Sequence, residues 1–234
     1  LSLSAGLRYT LYHNLGPADV FLYDDQPVNS PIVDTIRYAN QDVIETYNGL
    51  SPRVSARYNI GKNSSVKGAY NRLYQFIHLI SNTAAPTPVD IWQVSNTYIE
   101  PVVSNNYSLG FFQNLDNNNW ELSIEVFYKE LDNLVEFRDF ADLLVNRNIE
   151  TELLRAEGRN QGFEVFVKRK AKIWTGWLSY TYSTSEIRII EDAINGEVTI
   201  NNGDWFRSNY DQPHNLRIVS DLKLGKRGSL GTSI

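Results

Sequence analysis

The sequence predicts an all-β chain: an antiparallel, up-and-down transmembrane β-barrel wall of about nine strands, with short periplasmic turns and long extracellular loops, forming part of a larger barrel. Three observations predict it. Apolar and polar residues alternate with period two along most of the chain, the mark of strands with two unlike faces. The connections alternate between short, roughly 4–7 residues, and long, roughly 25–40, although loops beyond about 12–15 residues are uncommon in compact domains. The apolar faces carry no charge, whereas the opposite faces hold Arg8, Arg53, Arg57, Lys67, Glu121, Glu125, Lys129, Glu164, Lys168, Arg217, Asp221 and Lys223.

Arg53–Arg72 shows the repeating unit. Val54, Ala56, Tyr58 and Ile60 alternate with Arg53, Ser55, Arg57 and Asn59. Gly61-Lys62-Asn63-Ser64 supplies the turn, and Val66, Gly68 and Tyr70 then alternate with Lys67, Ala69 and Asn71. In chain order, Leu1–Tyr12 is the first strand, with Leu1, Leu3, Ala5, Leu7, Tyr9 and Leu11 on one face. His13–Leu50 is a long segment rich in Asp, Asn and Pro, in which Ile32–Ala39 fits a short strand. Leu73–Pro101 is the second long segment and contains Pro86 and Pro88. Asn106–Gln113 and Glu121–Lys129 are strands about the turn Asp116–Asn119. In the third long segment, Glu130–Asn160, the portion Asp139–Arg155 fits a short helix, with Leu143, Leu144, Leu153 and Leu154 as its apolar residues. Gly162–Lys168 and Trp174–Ser183 flank the basic turn Arg169–Lys172. Thr184–Pro213 is the fourth long segment, Asn215–Leu224 the last full strand, and Gly225–Gly228 turns into a short final one.

The expected strands run about 9–11 residues, the length that crosses a bilayer when tilted. Tyr9, Tyr12, Tyr58, Tyr70, Tyr74, Tyr107, Phe111, Tyr128, Tyr180 and Tyr182 lie near strand ends, as an interfacial girdle requires. A soluble β-sandwich or propeller shares the alternation but mostly uses short loops at both ends.

The 234 residues carry a formal net charge of −5 and contain neither Cys nor Met. Zero Cys excludes a disulfide framework and thiolate metal sites. The mild acidity gives no basic field for nucleic acid. No apolar run approaches the ~18 residues of a membrane helix, and negative mean hydropathy suits alternating strands as well as soluble domains. The lack of Met, and an opening LSLSAGLRYT without the pattern of a secretory leader, predict an internal or processed piece of something longer.

Six stretches carry a resemblance: SPRVSARYNIGKNSSVKGAYNRLYQFIHLISN (51–82), YIEPVVSNNYSLGFF (98–112), ELSIEVFYKELDNLVEFRD (121–139), GRNQGFEVFVKR (158–169), GWLSYTYS (176–183) and DQPHNL (211–216). In order and spacing, over nearly the whole chain, they resemble consecutive barrel hairpins of TonB-dependent outer-membrane receptors. The resemblance implies a barrel of about 22 strands filled by a plug, in the outer membrane of a Gram-negative bacterium. Residues 1–234 would then be a partial barrel domain, with the plug and the C-terminal barrel strands outside this sequence. The implied partners are outer-membrane lipid, the protein's own plug, and the TonB complex reached through the absent N-terminal part. The implied cargo is a large scarce nutrient: a ferric siderophore, haem, cobalamin, a glycan or a peptide. A passive porin or adhesion barrel without a plug, and a soluble β-rich binding domain, are the competing readings.

No catalytic constellation is legible, and no cofactor or metal site is expected. His13, His78 and His214 are far apart, and no HExxH, G-x-S-x-G or phosphate-binding loop occurs. The residues expected to bind cargo are loop aromatics and their neighbours: Tyr74, His78 and Trp92 in the second long segment, Trp205, Arg207 and Tyr210 in the fourth. Arg53, Arg57 and Lys67 are the expected lumen contacts for plug carboxylates. The resemblance implies that Asp211-Gln212-Pro213-His214, which recurs in that family at the start of a barrel strand, is structural and fixes strand entry rather than binding a ligand.

Overall fold

The computed structural model describes residues 1–25, 27, 30–80, 91–138, 141–142, 146–191, 200–225 and 228–233. The alternating stretches pair into one antiparallel sheet. Its long strands are β1 (Ser2–Leu15), β4 (Val43–Ile60), β5 (Ser64–Gln75), β8 (Val102–Leu115), β9 (Trp120–Phe137), β10 (Leu153–Lys170), β11 (Trp174–Glu191) and β13 (His214–Lys223), followed by the short β14 (Ser229–Ser233). Each pairs with the next in that order, the up-and-down arrangement, and β12 (Phe206–Arg207) adds to the edge of β11. Two separate hairpins stand inside the long connections: β2 (Ala18–Tyr23) with β3 (Ile32–Tyr38), and β6 (Ile77–Leu79) with β7 (Trp92–Val94).

Residues directly opposite in an antiparallel pair share a face, so the register shows whether the faces are continuous. Ala56, Gly68, Leu109, Val126, Phe163 and Tyr182 form one lateral row. Tyr58, Val66, Phe111, Ile124, Val165, Tyr180 and Leu216 form another on the same side. One residue along each strand, Arg57, Lys67, Gly110, Glu125, Glu164, Thr181 and Asn215 form a row on the other side. The faces expected for Val54, Ala56, Tyr58 and Tyr70, and for Arg53, Arg57, Lys67 and Asn71, are therefore the faces found.

The apolar face is not a packed core. Leu7 is 69% exposed, Tyr58 61% and Leu109 55%. The buried apolar residues lie at the long-loop end. Ile80, Ile99, Ile149 and Leu153 cluster with Ile91, Val135 and Phe137, while Leu154, Ala156 and Ile189 cluster with Leu134, Ile200 and Phe206. Away from the strand ends this wide apolar surface is unbroken by charge across eight strands, and it calls for lipid as its solvent.

Aromatic residues bound this surface on β9. Trp120 stands near the short-turn end, and Tyr128 continues a run with Tyr107 at 6.4 Å and Tyr70 a further 5.0 Å away. The roughly eight residue steps between Trp120 and Tyr128 span about 26 Å along the strand, or about 20 Å at a tilt near 40°, close to the apolar band of a membrane barrel.

Three expectations need correction. The strands are longer than foreseen: β4, β9, β10 and β11 each have 18 residues. They continue past the aromatic boundary, so part of each expected loop is strand. The expected helix is absent where it is described: Leu153 and Leu154 open β10, and only Ile149–Glu152 forms a 3-10 turn. Leu143 and Leu144, like Pro86 and Pro88, lie outside the described residues. Finally, Tyr12 and Tyr74 join a ring stack beneath the loops rather than the girdle, because Tyr12 falls on the polar side of β1, opposite Tyr47.

Candidate functional site at the long-loop end

On the polar face of β1 and β4, near the long-loop end, Tyr12 and Tyr47 hold down the chain that follows β7. The Tyr12 hydroxyl donates to the Ser95 carbonyl at 3.0 Å and the Tyr47 hydroxyl to the Asn96 carbonyl at 2.7 Å. Phe76 stacks on Tyr12 with centroids 4.7 Å apart and planes 11° from parallel, and Tyr74 stacks on Phe76 at 6.4 Å. Gly49 makes room for this stack, since a Cβ there would lie 2.5 Å from the Tyr74 ring. His78 is buried beside it and shares a 2.9 Å hydrogen bond between Nε2 and Ser95 Oγ. Burial lowers the His78 pKa and favours the neutral ring. Trp92, with Ile77, Leu79 and Val94, is exposed on the same hairpin.

Three long connections interlock here. Tyr98 donates its hydroxyl to the Phe21 carbonyl at 2.7 Å, joining the second to the β2–β3 hairpin. Tyr23 donates to Glu150 Oε1 at 2.8 Å, joining that hairpin to the 3-10 turn, and packs edge-on against Tyr98. Burial, then the Glu150 carboxylate, pushes the Tyr23 hydroxyl well above its ordinary pKa. Glu152 is 5% exposed and takes both a 2.7 Å and a 2.8 Å hydrogen bond from Arg138. Burial alone would raise the Glu152 pKa, but Arg138, the Asp142 amide and Thr151 together hold it below the ordinary value.

The fourth connection divides across the wall. Phe206 packs with Leu154, Ala156 and Ile189. Trp205 lies under two guanidinium groups, Arg159 at 4.3 Å and Arg188 at 4.9 Å. Those arginines pair with Glu186 at 2.7 Å and Glu157 at 2.6 Å. Arg207 pairs with Asp211 at 2.6 Å, and Asp211 also accepts the Ser185 amide at 2.7 Å. Asp211 thereby ties the approach to β13 onto β11, the structural role read from the sequence. Tyr210 is exposed and lines an open polar cavity of about 600 Å³ with Glu164, Asn215 and Arg217.

The expected cargo residues thus fall into two groups, Tyr74, His78 and Trp92 in one and Trp205, Arg207 and Tyr210 in the other. Among the described residues no hydrogen bond or ring contact joins them. Sequence reading missed the tyrosine tethers Tyr23, Tyr47 and Tyr98. Tyr12 did carry a signal, an aromatic out of phase with the apolar side of its strand.

Further down the polar face Arg57 stands directly opposite Lys67, and Glu125 opposite Glu164. Arg57 donates to Ser65 Oγ at 3.2 Å. Arg53, Arg57 and Lys67 have no carboxylate partner among the described residues. Like charges directly opposite are unfavourable, so this face is electrostatically incomplete. Among the described residues, no group of three or more His, Cys, Asp or Glu could hold a metal ion.

An up-and-down sheet whose apolar face is free of charge between its aromatic boundaries, with a polar opposite face and long loops at one end, defines a transmembrane β-barrel wall. The chain belongs to the TonB-dependent receptors: the model of the family described as TonB dependent receptor-like, beta-barrel matches residues 1–226. No curated protein matches it. Similar solved structures include the ferric-catecholate import receptor Fiu of E. coli K12, in its closed form (TM-score 0.60, 18% identity), covering 99% of this chain and 31% of that one. The pyoverdine receptor FpvA of Pseudomonas aeruginosa PAO1, bound to pyoverdine, gives 0.54 at 18% identity over 88% of this chain and 26% of its own. The Serratia marcescens hemophore receptor HasR, a double mutant in complex with its hemophore HasA and heme, gives 0.54 at 14% over 99% and 39%. The chain therefore spans about a third of the length of such receptors, and the likeness is one of fold.

Proposed function

We propose that this chain is part of the wall of an outer-membrane receptor that imports a large, scarce nutrient with energy delivered through TonB in a Gram-negative bacterium. The observation that carries the reading is the interlocked loop assembly, tethered by Tyr12 and Tyr47 on the polar side of the sheet. A loop layer held on the polar side at the mouth offers a surface that can recognise a bulky ligand. Cargo would cross unchanged, without a catalytic step. Ferric siderophores and haem are the first candidates, because the similar structures are receptors for such ligands; cobalamin, glycans and peptides follow.

In this reading residues 1–234 form a partial barrel domain. The sheet path ends on β1 and β14, and bare strand edges are untenable in lipid, so further strands close the wall. A plug fills the lumen. Its carboxylates meet Arg53, Arg57 and Lys67, and its cations meet Glu125 and Glu164. Each partly screened pair would contribute about 1 kcal/mol or less, weak enough for a pull from the periplasm to rearrange them. Trp92 and Tyr210 offer exposed aromatic faces to cargo, Tyr74 and His78 support the hairpin behind Trp92, and Trp205 with Arg207 flanks the mouth.

Growth of a deletion strain on defined sources of iron, vitamin, peptide and glycan tests this reading. A defect restricted to one large nutrient is expected. Unimpaired growth on every source, or a uniform defect on small solutes, would overturn it.

A further inference from the structure

At the short-turn end of the apolar face, Arg169 lies directly opposite Trp120. Its guanidinium carbon is 5.1 Å from the Trp120 ring centroid and 4.7 Å from that of Trp174. The two indoles meet edge to face, 6.4 Å apart. The neighbours of Arg169 in the chain behave differently. Lys168 and Lys170 project to the polar face and share Glu121, Lys168 at 3.9 Å and Lys170 in direct contact. Arg169 alone of this basic run projects to the apolar side. There, among the described residues, no carboxylate or other acceptor meets its N–H groups. The Trp120 indole N–H is likewise without an acceptor among the described residues, whereas Trp174 donates to Ser220 Oγ at 2.7 Å. Leu115, Ile173, Trp174 and Leu222 are exposed apolar side chains on this part of the sheet.

A cation at an apolar boundary is favourable only if its charge is met. Cation–π contact with the two indoles, at 5.1 and 4.7 Å, meets part of that charge without taking up the N–H groups of the guanidinium. Its edge remains available, and a guanidinium edge matches two oxygens of a phosphate. Trp120 adds a third donor. The cluster sits where the apolar band of β9 begins, the depth of lipid headgroups, and Lys172 in the adjoining turn adds an exposed positive charge. We infer that Trp120, Arg169 and Trp174 form a binding site for the phosphate of an acidic phospholipid in the leaflet on the short-turn side. The site rests on the reading of the apolar face as lipid-facing. It would anchor the wall at a fixed depth and rotation.

The test uses the whole receptor in detergent micelles, with phosphatidylglycerol or phosphatidylcholine added and bound lipid counted by native mass spectrometry. The wild type is expected to retain phosphatidylglycerol in preference to phosphatidylcholine. Arg169→Gln should hold it about tenfold more weakly, the scale of a lost charge-assisted hydrogen bond. Arg169→Lys, with the charge but no fork, should fall between them. Trp120→Phe, which keeps a ring and removes the N–H, should bind a few-fold more weakly. Equal retention by wild type and Arg169→Gln overturns the site. Displacement by millimolar inorganic phosphate overturns the lipid assignment. Failure of the underlying membrane reading looks different: the receptor would stay monodisperse without detergent, and neither protein would take up either lipid.

Discussion

Ile124→Arg, compared with Ser123→Arg, places the same charge on opposite sides of one strand. Ile124 is 46% exposed on the apolar face, flanked by Phe111 and Val165, and lies midway between Trp120 and Tyr128. In a bilayer, that position is the depth at which an arginine on a barrel's lipid face costs about 2–4 kcal/mol. Ser123 is flanked by Phe112 and Phe166 on the polar face, where an arginine meets the polar lumen rather than lipid and should cost about 1 kcal/mol or less. Ile124→Arg should therefore be the less stable by about 2–3 kcal/mol. Reversible denaturant unfolding of the whole receptor in lipid vesicles, followed by tryptophan fluorescence, measures the difference. If the apolar face met water instead, an already half-exposed Ile124 would accept Arg at little cost. Equal stabilities, or a larger loss for Ser123→Arg, would refute the assignment of faces.

Three further outcomes follow from the geometry. Glu152→Gln should weaken the charge-assisted link to Arg138 by about 2 kcal/mol and speed amide hydrogen exchange over 149–153; unchanged exchange would mean that the pair does not secure the third loop. Because the Glu152 pKa is lowered, its stabilisation is complete above about pH 4.3 and is lost as pH falls through the folded value. His78 also has a lowered pKa, so its contribution is full above about pH 6.5 and is lost as pH falls toward and through the folded value. Protection of the β6–β7 hairpin amides, taken relative to their intrinsic exchange rates at each pH, should fall between about pH 7 and 5, and His78→Gln should flatten that dependence. In Gly162→Ala, the added methyl would lie 2.2 Å from the Tyr182 carbonyl oxygen and 2.9 Å from the Phe127 ring. A loss of about 1–3 kcal/mol is expected from overpacking, and an unaltered unfolding midpoint would contradict the close β10–β11 approach.

The wall was legible because within the lipid band the two sides of each strand meet different solvents. Val54, Ala56 and Tyr58 against Arg53, Arg57 and Asn59 announce a strand for that reason. Above the aromatic boundary both sides meet water or loop, and the contrast fades. On β10 the row of Phe163 continues into Arg159 and Glu157, both ion-paired, and the register shifts near Ala156. Adjacent Leu153 and Leu154 then break period two and read as helix, although each enters a different cluster, Leu153 with Ile80 and Ile99, Leu154 with Ala156 and Ile189. The site was legible in residue type but not in arrangement. Aromatic loops were evident, but the tethers of Tyr12, Tyr47 and Tyr98 run to carbonyls 49 to 83 residues away, where the acceptor leaves no mark on the sequence, and that of Tyr23 runs to Glu150, 127 residues away.

The most direct measurement of the central claim is the initial uptake rate of the nutrient identified by growth, as a function of its concentration, in cells with and without TonB. Saturable uptake that disappears when TonB is deleted or the proton gradient is collapsed is expected. Uptake that rises linearly with concentration and persists without TonB would contradict it.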